Sequence, residues 1–233
     1  MTLGHGTFER LLTWAVELAP VAVMAVVASS VGDKGLGALL GLWAYLAAGI
    51  SGLAMQVLLV YQAWIWWAGI PLKTFLAVAR GPVVYSVGVN SSLATLPLTV
   101  KALDELKVSR SASTLGACIG TNLNNDGILL YEAMAVLFVA QAYGIHLALG
   151  TKLLMIGLCW LATVGIGGVP EAGFVSLSII LSQVGLPTEL LSFLLSVDWV
   201  LARLRSVVNV LADMTTSIAI DHRLKAMESS GRQ

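Results

Sequence analysis

Two polar constellations in an otherwise apolar chain carry the residue types that could hold ions. The first is VDWVLARLRSVVNVLAD at 197–213, which sets two aspartates, two arginines and an asparagine in one helix-length run of a chain that is only 11% charged. Asp198, Arg205, Asn209 and Asp213 are spaced i, i+7, i+11 and i+15. At about 100° per residue they share one narrow stripe of a helix, and Arg203 points elsewhere. Ionisable groups at bilayer depth are costly, so they face a bundle interior or a watery cavity and mark an ion or substrate path. The stripe therefore reads as the wall of a binding site. The second constellation is TNLNNDG at 121–127, in the middle of the apolar stretch 115–144. Asn122, Asn124, Asn125 and Asp126 converge there just before Gly127, which permits unusual backbone angles. An unwound helix centre of this composition would expose carbonyls and a carboxylate to a hard monovalent cation. The alternative is a kinked helix whose amides cap its own broken ends.

The elements that must position these groups follow from composition. A chain of 233 residues that is 58% hydrophobic is too apolar for an ordinary soluble domain, so an all-α integral membrane protein is expected. Net charge of zero gives no reason to expect nucleic acid as a partner. Cys118 and Cys159 both lie in apolar runs and read as buried small hydrophobes rather than a disulfide or a metal pair. The first ten residues lack the layout of a cleavable signal.

In chain order, 11–31 has one charge, Glu17, and about the 20 residues needed to cross a bilayer. From 35 to 72 there is no charge, which predicts a long tilted helix with Trp64, Trp66 and Trp67 as an interfacial belt near its end. The segment 75–100 is interrupted by Gly81, Pro82 and Gly88 and carries Asn90, Ser91, Ser92 and Thr95, so it is expected to be a re-entrant helical hairpin with its tip at 90–95. The stretch 147–187 repeats that form around GIGGVPEAG at 165–173, for which an ordinary loop between two helices is the plainer reading. Two interrupted segments, each followed by a helix with polar groups at its middle, point to an inverted-repeat secondary transporter. Glycines at the tips would let backbone amides approach an anion. The expected divisions are a scaffold-type helix at 1–33 and a transport domain at 34–224. The latter comprises a long helix, a first hairpin 73–107, a broken helix 112–145, a second hairpin 148–187 and a polar helix 190–222. The tail 225–233 is placed in the cytoplasm, because basic residues directly after a span favour that side.

SSLATLP at 91–97, NNDGILLYEA at 124–133, the tip GGVPEAG and the stripe sequence occur in the order and at the separations of the dicarboxylate/amino acid:cation symporters, the glutamate transporter superfamily, which this chain resembles from about residue 10 to residue 222. The resemblance implies an elevator-type symporter of the plasma (inner) membrane, working as a homotrimer, with sodium as coupling ion and no other cofactor. It implies that Ser91, Ser92 and the first tip meet a substrate carboxylate. Arg205 would take the distal carboxylate, Ser206 and Asn209 would line the rest, and Gly168, Val169 and Pro170 of the second tip would form the gate. Sodium ligands would come from Asn122, Asn124, Asp126, Asn209 and Asp213, with backbone carbonyls of Thr163, Val164 and Ile166. It also implies further helices ahead of residue 11, so a shortened chain, or one needing a partner, is expected.

Three positions depart from the family pattern. Ala202 stands where amino acid transporters carry an aspartate for the α-amino group, Ile128 replaces a threonine, and Asn125 replaces a methionine. The expected cargo is accordingly a small dicarboxylate, with an acidic or neutral amino acid as the alternative. An acid/base pair of Asp126 and Asp213 could serve an intramembrane enzyme, but asparagines and glycine tips suit ion cradling better, so no catalysis is expected. Replacing Ala202→Asp should move preference toward acidic amino acids. Competition of aspartate and succinate for binding checks this, and a variant still selecting the deaminated compound would contradict it.

Overall fold

The structure is a computed structural model that describes residues 25, 28, 32, 37–166 and 172–230. All of the expected span at 11–31 except residues 25 and 28, and the tip residues Gly168, Val169 and Pro170, lie outside the described residues. As expected, the fold is all-α, with no strand among the described residues.

Helix α1 (Gly37–Met55) continues through a π-helical stretch, Gln56–Tyr61, into α2 (Gln62–Trp67). Residues 41–67 are long and apolar enough to cross a membrane. Leu42, Tyr45, Leu53, Tyr61 and Ile65 turn inward, while Trp43, Leu58 and Trp66 face outward. Burying one stripe and exposing large apolar groups on the other suits a helix bordered by lipid on one side. The π-helical stretch has a consequence for chemistry. On an α-helix two residues five apart diverge by about 140°, but i→i+5 winding brings Gln56 and Tyr61 onto the same side.

After a turn at Gly69 (φ +74), α3 (Leu72–Val89) and α4 (Ser92–Glu105) fold back on each other. The interruption expected around Gly81–Pro82 does not occur there, because α3 runs straight through Pro82. Its buried face, Phe75, Ala79, Pro82 and Ser86, is spaced four, three and four, so packing of that face outweighs the hydrogen bond that proline cannot donate. The reversal falls instead on Asn90, in the left-handed region (φ 50, ψ 40), a conformation asparagine tolerates better than other non-glycine residues. Ser91 then caps α4, its side chain accepting from the Ala94 N–H at 3.2 Å.

Helix α5 (Arg110–Ser113), a π-helical stretch Thr114–Ile119 and α6 (Gly120–Leu123) form one continuous run. It breaks at Asn124 and Asn125, whose φ/ψ values (−110/48 and −88/54) are not helical, before α7 (Asp126–Ala142) resumes. The antiparallel arms α8 (Leu149–Ile166) and α9 (Ala172–Gln183) follow. Last comes α10 (Leu191–Ser230), 40 residues long, which continues beyond the end expected at 222. There the Asp221 carboxylate accepts from the Ser109 N–H and pairs with Lys225 one turn on. His222 and Arg223 pack on the Trp67 ring.

Two apolar clusters hold α10. One joins α1, α7, α8 and α9 to its first half through Tyr45, Val136, Cys159, Leu177 and Leu194. The other joins α2, α3 and α4 to its second half through Ile65, Phe75, Leu103, Met214 and Ile218. The first ends on α10 at Leu201 and the second begins at Val208, so Arg205 lies where they meet, with Asn209 just beyond. Close helix approach fixes this seam. A Cβ on Gly116 would come within 2.5 Å of the Ser217 backbone, and one on Gly127 within 2.6 Å of the Arg205 carbonyl oxygen. Gly116→Ala should therefore lose about 1–3 kcal/mol of stability through overpacking. Gly81→Ala, with nothing within 4 Å, should be neutral or slightly stabilising. Thermal unfolding midpoints of the two variants check this, and equal midpoints would contradict it.

Candidate ion and substrate site

On α10, Asp198 and Arg205 lie two turns apart on one face, and the structure joins them. Arg205 Nη1 donates to Asp198 Oδ1 at 2.7 Å and Nη2 to Oδ2 at 3.0 Å, a two-pronged ion pair with both residues buried. The guanidinium also lies 3.8 Å above the Tyr131 ring of α7. Gly173, at the start of α9, faces it so closely that a Cβ there would meet Nη2 at 3.9 Å. Arg203, on the outer side, donates to the Trp199 carbonyl and stays clear of the site. The sequence reading placed Asp198 on the stripe but did not pair it with Arg205. The i, i+7 spacing was the available signal.

Directly after Arg205, Ser206 donates from Oγ to Asn90 Oδ1 at 3.1 Å, which ties the first tip, with Ser91 and Ser92 both buried, to α10. Asn209 is fully engaged. Its Oδ1 accepts from the Gly127 N–H at 2.8 Å and its Nδ2 donates to Asn125 Oδ1 at 3.3 Å. A backbone N–H of α7 thus fixes which way the Asn209 amide points.

The candidate cation ligands divide into groups with different environments. Asp126 accepts at Oδ2 from Tyr61 (2.9 Å) and Gln56 (3.1 Å), the two side chains that the π-helical winding aligns. Asn124 donates to Thr216 at 3.0 Å. Asp213 is 1% exposed, is flanked by Thr121 and Asn124 and feels the charge of Asp126. Its Oδ1 and the Thr121 hydroxyl are nonetheless both buried without a well-formed hydrogen bond. Gly120 keeps space open beside that oxygen, since a Cβ would approach it to 3.4 Å. A buried carboxylate beside a hydroxyl, an amide and a helix break gathers oxygens of the kind a hard cation takes. On α8 the Thr163 carbonyl accepts from Asn125 at 3.0 Å. Val164 is half-buried, and Ile166 is the last residue of the helix. The Asn122 side chain is exposed, and only its carbonyl turns into the site.

Sequence reasoning missed four contributors. Gln56 and Tyr61 gave no local signal, standing in a long apolar run, and Thr121 opens the quoted TNLNNDG but was not counted among its ligands. Glu132 stands inside the quoted NNDGILLYEA motif, is fully buried, and receives the Ser176 hydroxyl of α9.

A family model described as the sodium:dicarboxylate symporter family matches residues 1–223. Among curated relatives, excitatory amino acid transporter 4 of Mus musculus is 34% identical over 226 residues, covering 91% of this chain and 39% of the relative. Excitatory amino acid transporter 3 of Mus musculus is 36% identical over 180 residues, covering 72% and 33%. Excitatory amino acid transporter 1 of Homo sapiens is 32% identical over 226 residues, covering 91% and 40%. The chain thus spans about a third to two fifths of the length of these relatives.

The buried ion pair should behave as a unit. Asp198→Asn should cost about 3–5 kcal/mol by stranding the Arg205 charge, and adding Arg205→Met should restore most of that loss. A double-mutant cycle on unfolding midpoints reads this directly. Additive losses would mean the two residues do not support each other.

Proposed function

This chain belongs to the sodium:dicarboxylate symporter family, and from that premise we propose that it takes part in sodium-coupled movement of a small zwitterionic carboxylate, an acidic amino acid, across the plasma membrane. The observation that carries the reading is the buried Asp198–Arg205 pair beside the Asp213 cradle. An acidic amino acid brings two carboxylates and an ammonium. Exchanging the internal pair for two external ones, one carboxylate to Arg205 and the ammonium to Asp198, leaves the second carboxylate to the first tip, where Ser91 and Ser92 are buried.

This replaces the dicarboxylate expected from Ala202. That inference took the missing aspartate to leave an ammonium without a counter-charge, but Asp198 lies one helical turn before Ala202 on the same face and supplies one. The names of the curated relatives, excitatory amino acid transporters, favour the same choice. Ala202, buried within the stripe, is what speaks for a dicarboxylate as second reading.

In this reading the first tip and Ser206 bind and orient one end of the substrate, while the Arg205 fork selects the carboxylate by geometry as well as charge. The Asp213 carboxylate, with Thr121, receives the cation. The start of α9, at Gly173, lies over the guanidinium. No bond is made or broken.

The test is uptake of labelled L-aspartate and of succinate into proteoliposomes carrying the full chain, with an inward sodium or choline gradient. Sodium-driven aspartate uptake is expected. It should fall at least about tenfold in Arg205→Lys, which keeps the charge but loses one charge-assisted hydrogen bond. Preference for succinate would overturn the substrate assignment, and uptake indifferent to sodium would overturn symport.

A further inference from the structure

Tyr45 of α1 and Tyr131 of α7 bury their rings in the apolar cluster around the first half of α10, at 1% and 2% exposure. The Tyr131 ring lies against the Arg205 guanidinium, and the Tyr45 ring packs on Phe138 with centroids 5.0 Å apart. Close helix contact sets the height of Tyr45. A Cβ on Gly49 would meet Leu201 Cδ2 at 2.9 Å, and further along both helices Tyr61 donates to the Val208 carbonyl at 3.4 Å. The two contacts advance together, so α1 runs parallel to α10, and one turn back from Gly49 brings Tyr45 level with Asp198.

Phenylalanine would fill the Tyr45 position equally well by shape. The hydroxyl adds a donor that has to find an acceptor in apolar surroundings. The two tyrosine hydroxyls face each other and share one hydrogen bond, though without ideal alignment. Two O–H groups carry two hydrogens, and a bond between them uses one. For the hydrogen left over, Asp198 is the carboxylate in whose field both hydroxyls lie. Each Asp198 oxygen accepts one N–H from Arg205 and keeps a lone pair for a further donor.

We propose that the Tyr45–Tyr131 hydroxyl pair is a donor held in reserve for Asp198, which makes Tyr45 a positioning residue that sets how far a ligand without an ammonium is tolerated. The proposal rests on the reading that Arg205 takes a substrate carboxylate, and deepens it. When a ligand draws Arg205 away, Asp198 loses two N–H donors at once. The Tyr45 hydroxyl, with Tyr131 donating to it from behind, then turns to the carboxylate by rotation about its C–O bond alone. An amino acid brings an ammonium that shares this task. A dicarboxylate brings none, so with such a ligand bound Asp198 depends on the tyrosine pair.

Titration calorimetry of L-aspartate and of succinate into the detergent-purified full chain in sodium, with wild type and Tyr45→Phe, tests this. The variant should lose at least about tenfold in succinate affinity, the worth of one hydrogen bond to a charged group, and clearly less in aspartate affinity. Equal losses for the two ligands, as a ring that merely packs would give, or no loss for succinate, would overturn the proposal. A second comparison needs no ligand. Tyr45→Phe should shift the unfolding midpoint little in the wild-type background, where Arg205 serves Asp198, and markedly more in Arg205→Met, where the carboxylate is left to the hydroxyl pair. The same shift in both backgrounds would refute the reserve donor. A wild type that prefers succinate would overturn the amino acid reading alone, because the Tyr45→Phe loss for succinate still decides the role of Tyr45. If neither carboxylate bound, the midpoint comparison would decide it.

Discussion

A guanidinium cannot stay charged inside an apolar helix bundle without a partner, and the rest of the interior is arranged around meeting that demand for Arg205. Asp198 meets it along the same helix with two parallel hydrogen bonds. Tyr131 covers one face of the guanidinium, and the glycine at 173 lets the start of α9 reach it. The close approach at Gly127 brings the α7 backbone onto α10 directly beneath, so that its N–H reaches Asn209. A larger residue at that position would separate α7 from α10 and pull apart the amide chain that runs from Gly127 through Asn209 and Asn125 to Thr163. Charge pairing and close packing are thus the same constraint seen from two sides.

Some of this was legible in the sequence because it is written in local periodicity. The stripe Asp198, Arg205, Asn209, Asp213 stands out against apolar neighbours, and all four are buried as helical spacing requires. The break at NNDG was legible because side chains that compete with backbone hydrogen bonding were concentrated at one point of an apolar run. Pairings across the chain were not legible. Gln56 and Tyr61 meet Asp126 over separations of 70 and 65 residues, and only the π-helical winding puts both on one side. The Gly81–Pro82 dipeptide misled for the opposite reason: its local preference is to break a helix, and tertiary packing of Phe75, Ala79 and Ser86 overrides it. The Asn122 side chain was counted with the site by composition, yet the helix turns it outward.

Family membership fixes the class of protein but leaves the cargo to the site. The sequence argument for a dicarboxylate treated Ala202 in isolation. The structure supplies Asp198 as a carboxylate on the same face, already engaged in the kind of pairing an amino acid would redistribute.

In the proposed function, cation and organic acid are held on one stripe of α10, with Asp213 as the cation's carboxylate and Arg205 about two turns before it. Anomalous diffraction from crystals of the chain soaked in thallium, a heavy monovalent cation, tests this most directly. A peak within coordination distance of the Asp213 carboxylate is expected. No peak at Asp213 would contradict the proposed cation site.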